Sequence, residues 1–166
     1  MEKNIESVIK LLYGQWKIAK ERARQECLDR GLPNVAEKYR TCDMFKGSED
    51  VQTVLRLFAS TQGVEFCMDY HFPNLASMRQ FRPYIDPVRH GIYLDAGVVT
   101  INDPGRVILI GRTTATVNCT TLERHEIILM HGARAVINAS GWAVVFVKAE
   151  QGCTVLRNTT DNAVIL

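Results

Sequence analysis

The spacing of apolar residues changes character about halfway along the chain. Over residues 4–30, Ile5, Val8, Ile9, Leu12, Trp16, Ala19 and Ala23 recur at intervals of three and four. That spacing draws one apolar stripe along a helix and leaves Lys10, Lys17 and Arg24 off it. Gly14 lies within this helix and costs about 1 kcal/mol against alanine, so packing must hold it. Gly31 and Pro33 are read as its stop signal. Ser48 is read as the N-cap of a second helix, with Glu49 and Asp50 in its first turn and an apolar face of Val51, Val54, Leu55 and Phe58. Shorter helices are predicted at 62–70 and 75–81. The run Arg82-Pro83-Tyr84-Ile85-Asp86-Pro87 cannot continue a helix, because each proline disfavours α geometry in the residue before it.

From Gly91 onward, short β-branched runs alternate with Gly, Asn, Asp and Thr, the texture of strands and turns. A repeat lies within this texture. Val117-Asn118, Ile137-Asn138 and Arg157-Asn158 stand 20 residues apart, each closing an alternating run, and Val98-Val99-Thr100-Ile101-Asn102 is a shorter earlier copy. A second apolar run precedes each: Val107-Ile108-Leu109-Ile110, then Ile127-Ile128-Leu129-Met130, then Val144-Val145-Phe146-Val147. The chain ends on Ala163-Val164-Ile165-Leu166, which reads as the start of one more.

The order is strand, glycine turn, strand, Asn turn. It predicts an α+β protein: a helical segment at 1–82, then a repetitive all-β half at 91–166. A short β-solenoid fits the fixed period, with each coil covering its neighbour's apolar face. In that arrangement Asn102, Asn118, Asn138 and Asn158 form a structural ladder at a turn position that tolerates left-handed geometry. The alternative is a cupin-like or jelly-roll β-sandwich of antiparallel strands. A solenoid also needs covered ends, and an apolar strand at 163–166 must pack back on its own body or meet another chain. A homo-oligomer is therefore expected.

Composition narrows the field. Hydrophobic residues make up 46% and charged residues 23%, as in ordinary globular proteins. The net charge of +2 is less basic than is usual for a protein built to hold nucleic acid, so nucleic acid is not the expected partner. Five cysteines with no CxxC pair suit reduced, mostly buried thiols rather than disulfides or a zinc knuckle. The charged start Met1-Glu2-Lys3-Asn4 lacks the apolar core of a signal peptide, and no run of 18 apolar residues occurs. A cytoplasmic or virion location without a membrane span is expected.

Candidate chemistry is sparse. His125 and His131 are six apart and would share a strand face, which makes them the candidates for a metal site. Arg124-His125-Glu126 is a compact charged trio, and Asp95 before Gly97 reads as an Asx turn. Lys17, Lys20 and Arg24 on the first helix are the candidate binding residues for an anionic partner, though Glu21 and Glu26 are interleaved with them. Three Asn-x-Thr/Ser triplets, at Asn118, Asn138 and Asn158, follow from the repeat. No catalytic constellation and no cofactor motif is recognised.

Phe72-Pro73-Asn74, Ile92-Tyr93-Leu94-Asp95-Ala96-Gly97, His131-Gly132-Ala133 and Ala139-Ser140-Gly141-Trp142-Ala143-Val144 resemble segments of small uncharacterised proteins of gut bacteria and their phages or mobile elements. The resemblance runs from Phe66 through Leu166. It implies a phage-related or mobile-element setting and carries over no activity. The expectation is thus a non-enzymatic structural or interaction protein that self-associates through its β half. The alternatives are a small protein binding a host factor, nucleotide or nucleic acid, and a cupin-like metal-binding enzyme.

Overall fold

The computed structural model describes residues 4–166; the charged start at Met1 to Lys3 lies outside them. The chain forms two compact units, one ending at Tyr84 and the other running from Ile85 to Leu166.

The first unit is helical. Helix α1 (Ile5–Asp29) is capped by the Asn4 side chain and buries Val8, Ile9, Leu12, Trp16, Ala19 and Ala23, the predicted stripe. Pro33 starts a helix instead of only ending one. Helix α2 (Pro33–Thr41) has this proline in its first turn, where the missing N–H is not needed. Helix α3 (Val51–Ala59) is capped by Asp50, not Ser48, because the Asp50 carboxylate accepts from the Thr53 N–H at 2.7 Å. Glu49 is drawn off to the preceding turn, where it accepts from the Lys46 and Gly47 N–H groups. Ser60 then ends α3 and caps α4 (Thr61–Tyr70). Helix α5 (Leu75–Arg79) comes next, capped by Asn74.

The second unit opens with α6 (Pro87–His90), a single turn capped by Asp86 that starts where the proline-interrupted stretch at 82–87 ends. Here too proline takes an N-terminal position. Among the described residues nine strands come after it: β1 (Ile92–Leu94), β2 (Gly97–Asn102), β3 (Arg106–Ile110), β4 (Thr113–Cys119), β5 (Arg124–Met130), β6 (Arg134–Ala139), β7 (Val144–Ala149), β8 (Thr154–Thr159) and β9 (Val164–Ile165). They build two sheets, ordered β1-β3-β5-β7-β9 and β2-β4-β6-β8. Every pairing among them is parallel. This is a β-solenoid of about four turns. It rules out the cupin-like or jelly-roll arrangement, which requires antiparallel partners.

Register explains the irregular first period. Asn102 pairs with Asn118, 16 residues on, whereas Asn118 pairs with Asn138 and Asn138 with Asn158, each 20 on. The four missing residues come out of one corner, because Asn102 and Arg106 bracket a tight Asp103-Pro104-Gly105 turn. The strands themselves stay in step, so the stack is undisturbed.

Between the sheets lies one apolar core. Its columns include Leu109, Leu129 and Ile127 from the first sheet and Val117, Ile137, Ala115 and Ala135 from the second. β3 and β5 are also buried on the outward side, at Ile108, Ile110, Ile128 and Met130. That is why both read as unbroken apolar runs rather than alternating ones. The corners turn through left-handed residues: Asp95, Gly111 and His131 at one, Asp103, Gly141 and Asp161 at the other. The Asn residues do not occupy these turn positions. They lie within the strands, one residue before the corner or at its edge.

Asp103 ties two coils together. Its carboxylate accepts from the Thr120 N–H at 2.6 Å, from the Thr120 hydroxyl, and from the Thr121 N–H at 3.3 Å. The Thr120 N–H holds the Asp103 carboxyl below the usual aspartate range. A depressed folded-state pKa contributes stability above the unfolded value, and that contribution is lost as pH falls through the folded value. The thermal midpoint should therefore drop on acidification below about pH 4, the unperturbed aspartate range. Asp103→Asn should flatten that part of the profile; parallel acid limbs for the two proteins would exclude the linkage.

Candidate functional site

Alternation along β5 separates the charged trio. Arg124 lies on the outer face with its guanidinium 4.4 Å from the Phe146 ring centroid, and Glu126 on the same face accepts from Arg106 Nε at 2.9 Å. His125 points inward and is fully buried. Its Nδ1 is 2.7 Å from the Pro104 carbonyl, and its Nε2 is 3.2 Å from both the Thr121 carbonyl and the Thr121 hydroxyl. The ring is a strut between the corners of two coils.

His131 lies beyond the end of β5, in a left-handed turn residue at φ 53°. Its backbone N–H donates to Glu150 Oε2 at 2.6 Å, and its ring Nδ1 is 3.8 Å from the same carboxylate oxygen. The strand-face pairing of His125 with His131 therefore does not form. Among the described residues no three His, Cys, Asp or Glu side chains converge as a metal site. Asp95 stands at a left-handed turn position and also reaches across coils: its carboxylate accepts from the Arg112 N–H at 2.8 Å.

All five cysteines are free. Burial pushes the Cys119 thiol up to about 11 and also raises Cys153. Both are held as thiols, which are poor nucleophiles.

On α1 the candidate binding residues are drawn into local contacts. Arg24 is held by Glu21 through paired hydrogen bonds of 2.6–3.1 Å. Lys17 lies over the Tyr13 ring at 4.9 Å, and Lys20 over the Trp16 ring at 4.4 Å while donating to the Cys42 carbonyl at 3.1 Å. Their spacing of three and four places them along one side of the helix, each with a partner of its own.

The repeated asparagines do come together. Asn118 Nδ2 donates to Asn102 Oδ1 at 2.9 Å, Asn138 to Asn118 at 3.0 Å, and Asn158 to Asn138 at 2.9 Å. Each side chain passes one hydrogen bond along the stack, which fixes the strands in register on the exposed face of their sheet.

The ladder ends at β8. This strand is the last of its sheet, and β9 is the last of the other. Among the described residues no further strand pairs with their outer edges. Apolar side chains are exposed on both outer faces here: Leu156 at 56% on the β8 sheet and Val164 at 44% on the β9 sheet, with Leu166 at 59% after it and Trp142 at 65% in the preceding corner. One position breaks the pattern. The inward column Ile101, Val117, Ile137 continues not with an aliphatic residue but with Arg157, which is exposed. An inward-directed charge on an edge strand obstructs simple addition of another coil. Reading the runs for hydrophobicity alone misses this; aligning Arg157 with Ile137 at the 20-residue period reveals it.

No helix among the described residues is long and apolar enough to cross a membrane. No protein-family model matches the sequence, and comparison with curated proteins and with solved structures returned no match.

Proposed function

We propose that this chain is a non-enzymatic structural or interaction protein that self-associates through the final coil of its β half. The observation that carries the reading is the last coil itself: among the described residues no further strand pairs with β8 or β9, and the coil exposes Leu156 on one sheet and Val164 and Leu166 on the other. A strand edge is completed by another strand, and a second copy supplies one of matching length and polarity. Arg157 decides the form of the pairing. Head-to-tail stacking would bring a further aliphatic column onto its charge, so growth into a fibre is disfavoured. Two final coils facing each other make a closed, isologous pair in which β8 meets β8 in antiparallel sense and each Arg157 can reach the edge solvent. A phage or mobile-element setting is part of the same proposal.

The test is the native mass of the full chain by light scattering over a concentration series. A dimer is expected at micromolar concentration. The double variant Val164→Lys, Leu166→Glu should shift it to monomer with an unchanged circular dichroism spectrum. A parent protein that stays monomeric throughout the series refutes the reading, as does a dimer that the double variant leaves intact.

A further inference from the structure

The helical unit contains a cleft of about 340 Å³, a size that suits a small ligand. Six aromatic rings dominate its walls: Trp16 on α1, Tyr39 on α2, Phe45 in the following loop, Phe58 on α3, Phe66 on α4 and Phe72 just after α4. Most of them brace one another in pairs. Trp16 and Phe45 meet edge-on with centroids 5.9 Å apart, and Tyr39 and Phe66 lie 6.1 Å apart. A wall of mutually packed rings is preorganised, so a ligand need not order it.

The charges on this cleft are not equivalent. Lys38, Glu65 and Asp69 also line it, but all three are exposed, where water and salt screen them and a charge contact is worth about 0–1 kcal/mol. Lys20 is half-buried. Its ammonium is held in place twice, by the Cys42 carbonyl at 3.1 Å and by the Trp16 ring at 4.4 Å. Neither Lys20 nor Lys38 forms an ion pair with a carboxylate among the described residues. An ammonium carries three donors, and the Cys42 carbonyl takes one of them. The cleft therefore combines an apolar aromatic interior with one positioned cation.

We infer that this cleft binds a small amphipathic monoanion, with an apolar body against the aromatic walls and a carboxylate on Lys20. The site stands apart from the self-association reading and does not depend on it. Either a short acyl chain or an arylalkyl acid has this chemistry, and both enter the test.

The full-length chain is titrated by calorimetry with octanoate, with 3-phenylpropanoate and with octan-1-ol as the neutral control. At least one carboxylate is expected to bind, and the stronger of the two identifies the body the cleft prefers. Lys20→Met keeps the apolar stem and removes the charge; it should weaken the carboxylate about tenfold, equivalent to about 1.4 kcal/mol, and leave octan-1-ol unchanged. Lys38→Met should alter affinity less than about twofold, as expected for an exposed charge. Met44→Trp, on an exposed loop position that lines the cleft, should block entry without lowering the melting temperature. The inference is overturned if neither carboxylate binds at about 5 mM, well into the weak millimolar regime. It is equally overturned if Lys20→Met binds the carboxylate as tightly as the parent, or if Met44→Trp folds normally and leaves binding intact.

Discussion

Leu129→Ala should lower the unfolding free energy by about 3–5 kcal/mol, at the upper end of the range for leucine truncation in a core. The size follows from position. Leu129 is fully buried and points inward from β5, the central strand of its sheet, with β3 paired on one side and β7 on the other. Its register partners Leu109 and Ala149 are fixed by ladder hydrogen bonds, so neither can slide into the space left behind. A site that cannot collapse retains the full cavity, and the cavity adds to the lost transfer energy. In a stack of coils each interface also supports its neighbours, so the loss is felt beyond the mutated coil. Urea unfolding monitored by circular dichroism measures it. A loss below about 1.5 kcal/mol would mean that the coils relax into the void, contrary to the rigid register described.

Gly63→Ala should cost about 3 kcal/mol, a large penalty for one methyl group. A Cβ at Gly63 would stand 2.0 Å from the Leu57 carbonyl oxygen and 3.0 Å from Ser60 Oγ. Something must move, and the nearest atom is backbone. Little slack exists, since Ser60 both closes α3 and caps α4, donating from its hydroxyl to the Leu57 carbonyl at 2.7 Å and accepting from the Gly63 N–H at 3.0 Å. Relieving the clash separates the two helices and breaks the cap. Gly14→Ala is the natural comparison: no atom lies within 4 Å of a Cβ there, and the change should stabilise α1 by about 0.5–1 kcal/mol through propensity alone. Thermal melts of the two variants should move in opposite directions. If Gly63→Ala melts within a degree or two of the parent, the α3–α4 junction is more compliant than its hydrogen bonds imply.

Much of the candidate interface is legible in the sequence, and almost none of the cleft is. The alternating runs and the asparagines at a fixed period define strands, their order and their register, because stacking aligns residues one period apart. The same alignment locates the end of the stack and the exposed Val164 and Leu166. The cleft gathers Trp16, Tyr39, Phe45, Phe58, Phe66 and Phe72 from four helices and two loops. Each is an ordinary apolar residue in its own segment, and no local spacing marks it. Lys20 stands out in the sequence for its charge on a helix face. Its partners, Cys42 and Trp16, and its place in the cleft wall depend on how α1 packs against α2 and the loop that carries Phe45.

Local signals mislead where one residue can serve two roles. Pro33 reads as a stop, although a proline equally suits the first turn of a new helix. Ser48 and Asp50 are both good caps, and the choice falls to Asp50 because Glu49 turns back to the Lys46 and Gly47 N–H groups.

By itself, the sequence determined the periodic elements: the α1 stripe, the coils and the asparagine ladder, since each is written in residues spaced by the geometry of the backbone itself. Tertiary structure alone decided the pairing sense of the strands, the dispersal of the His125–His131 pair, and the joining of distant aromatics around one lysine. Those outcomes depend on which surfaces meet in space, and separation along the chain carries no record of that.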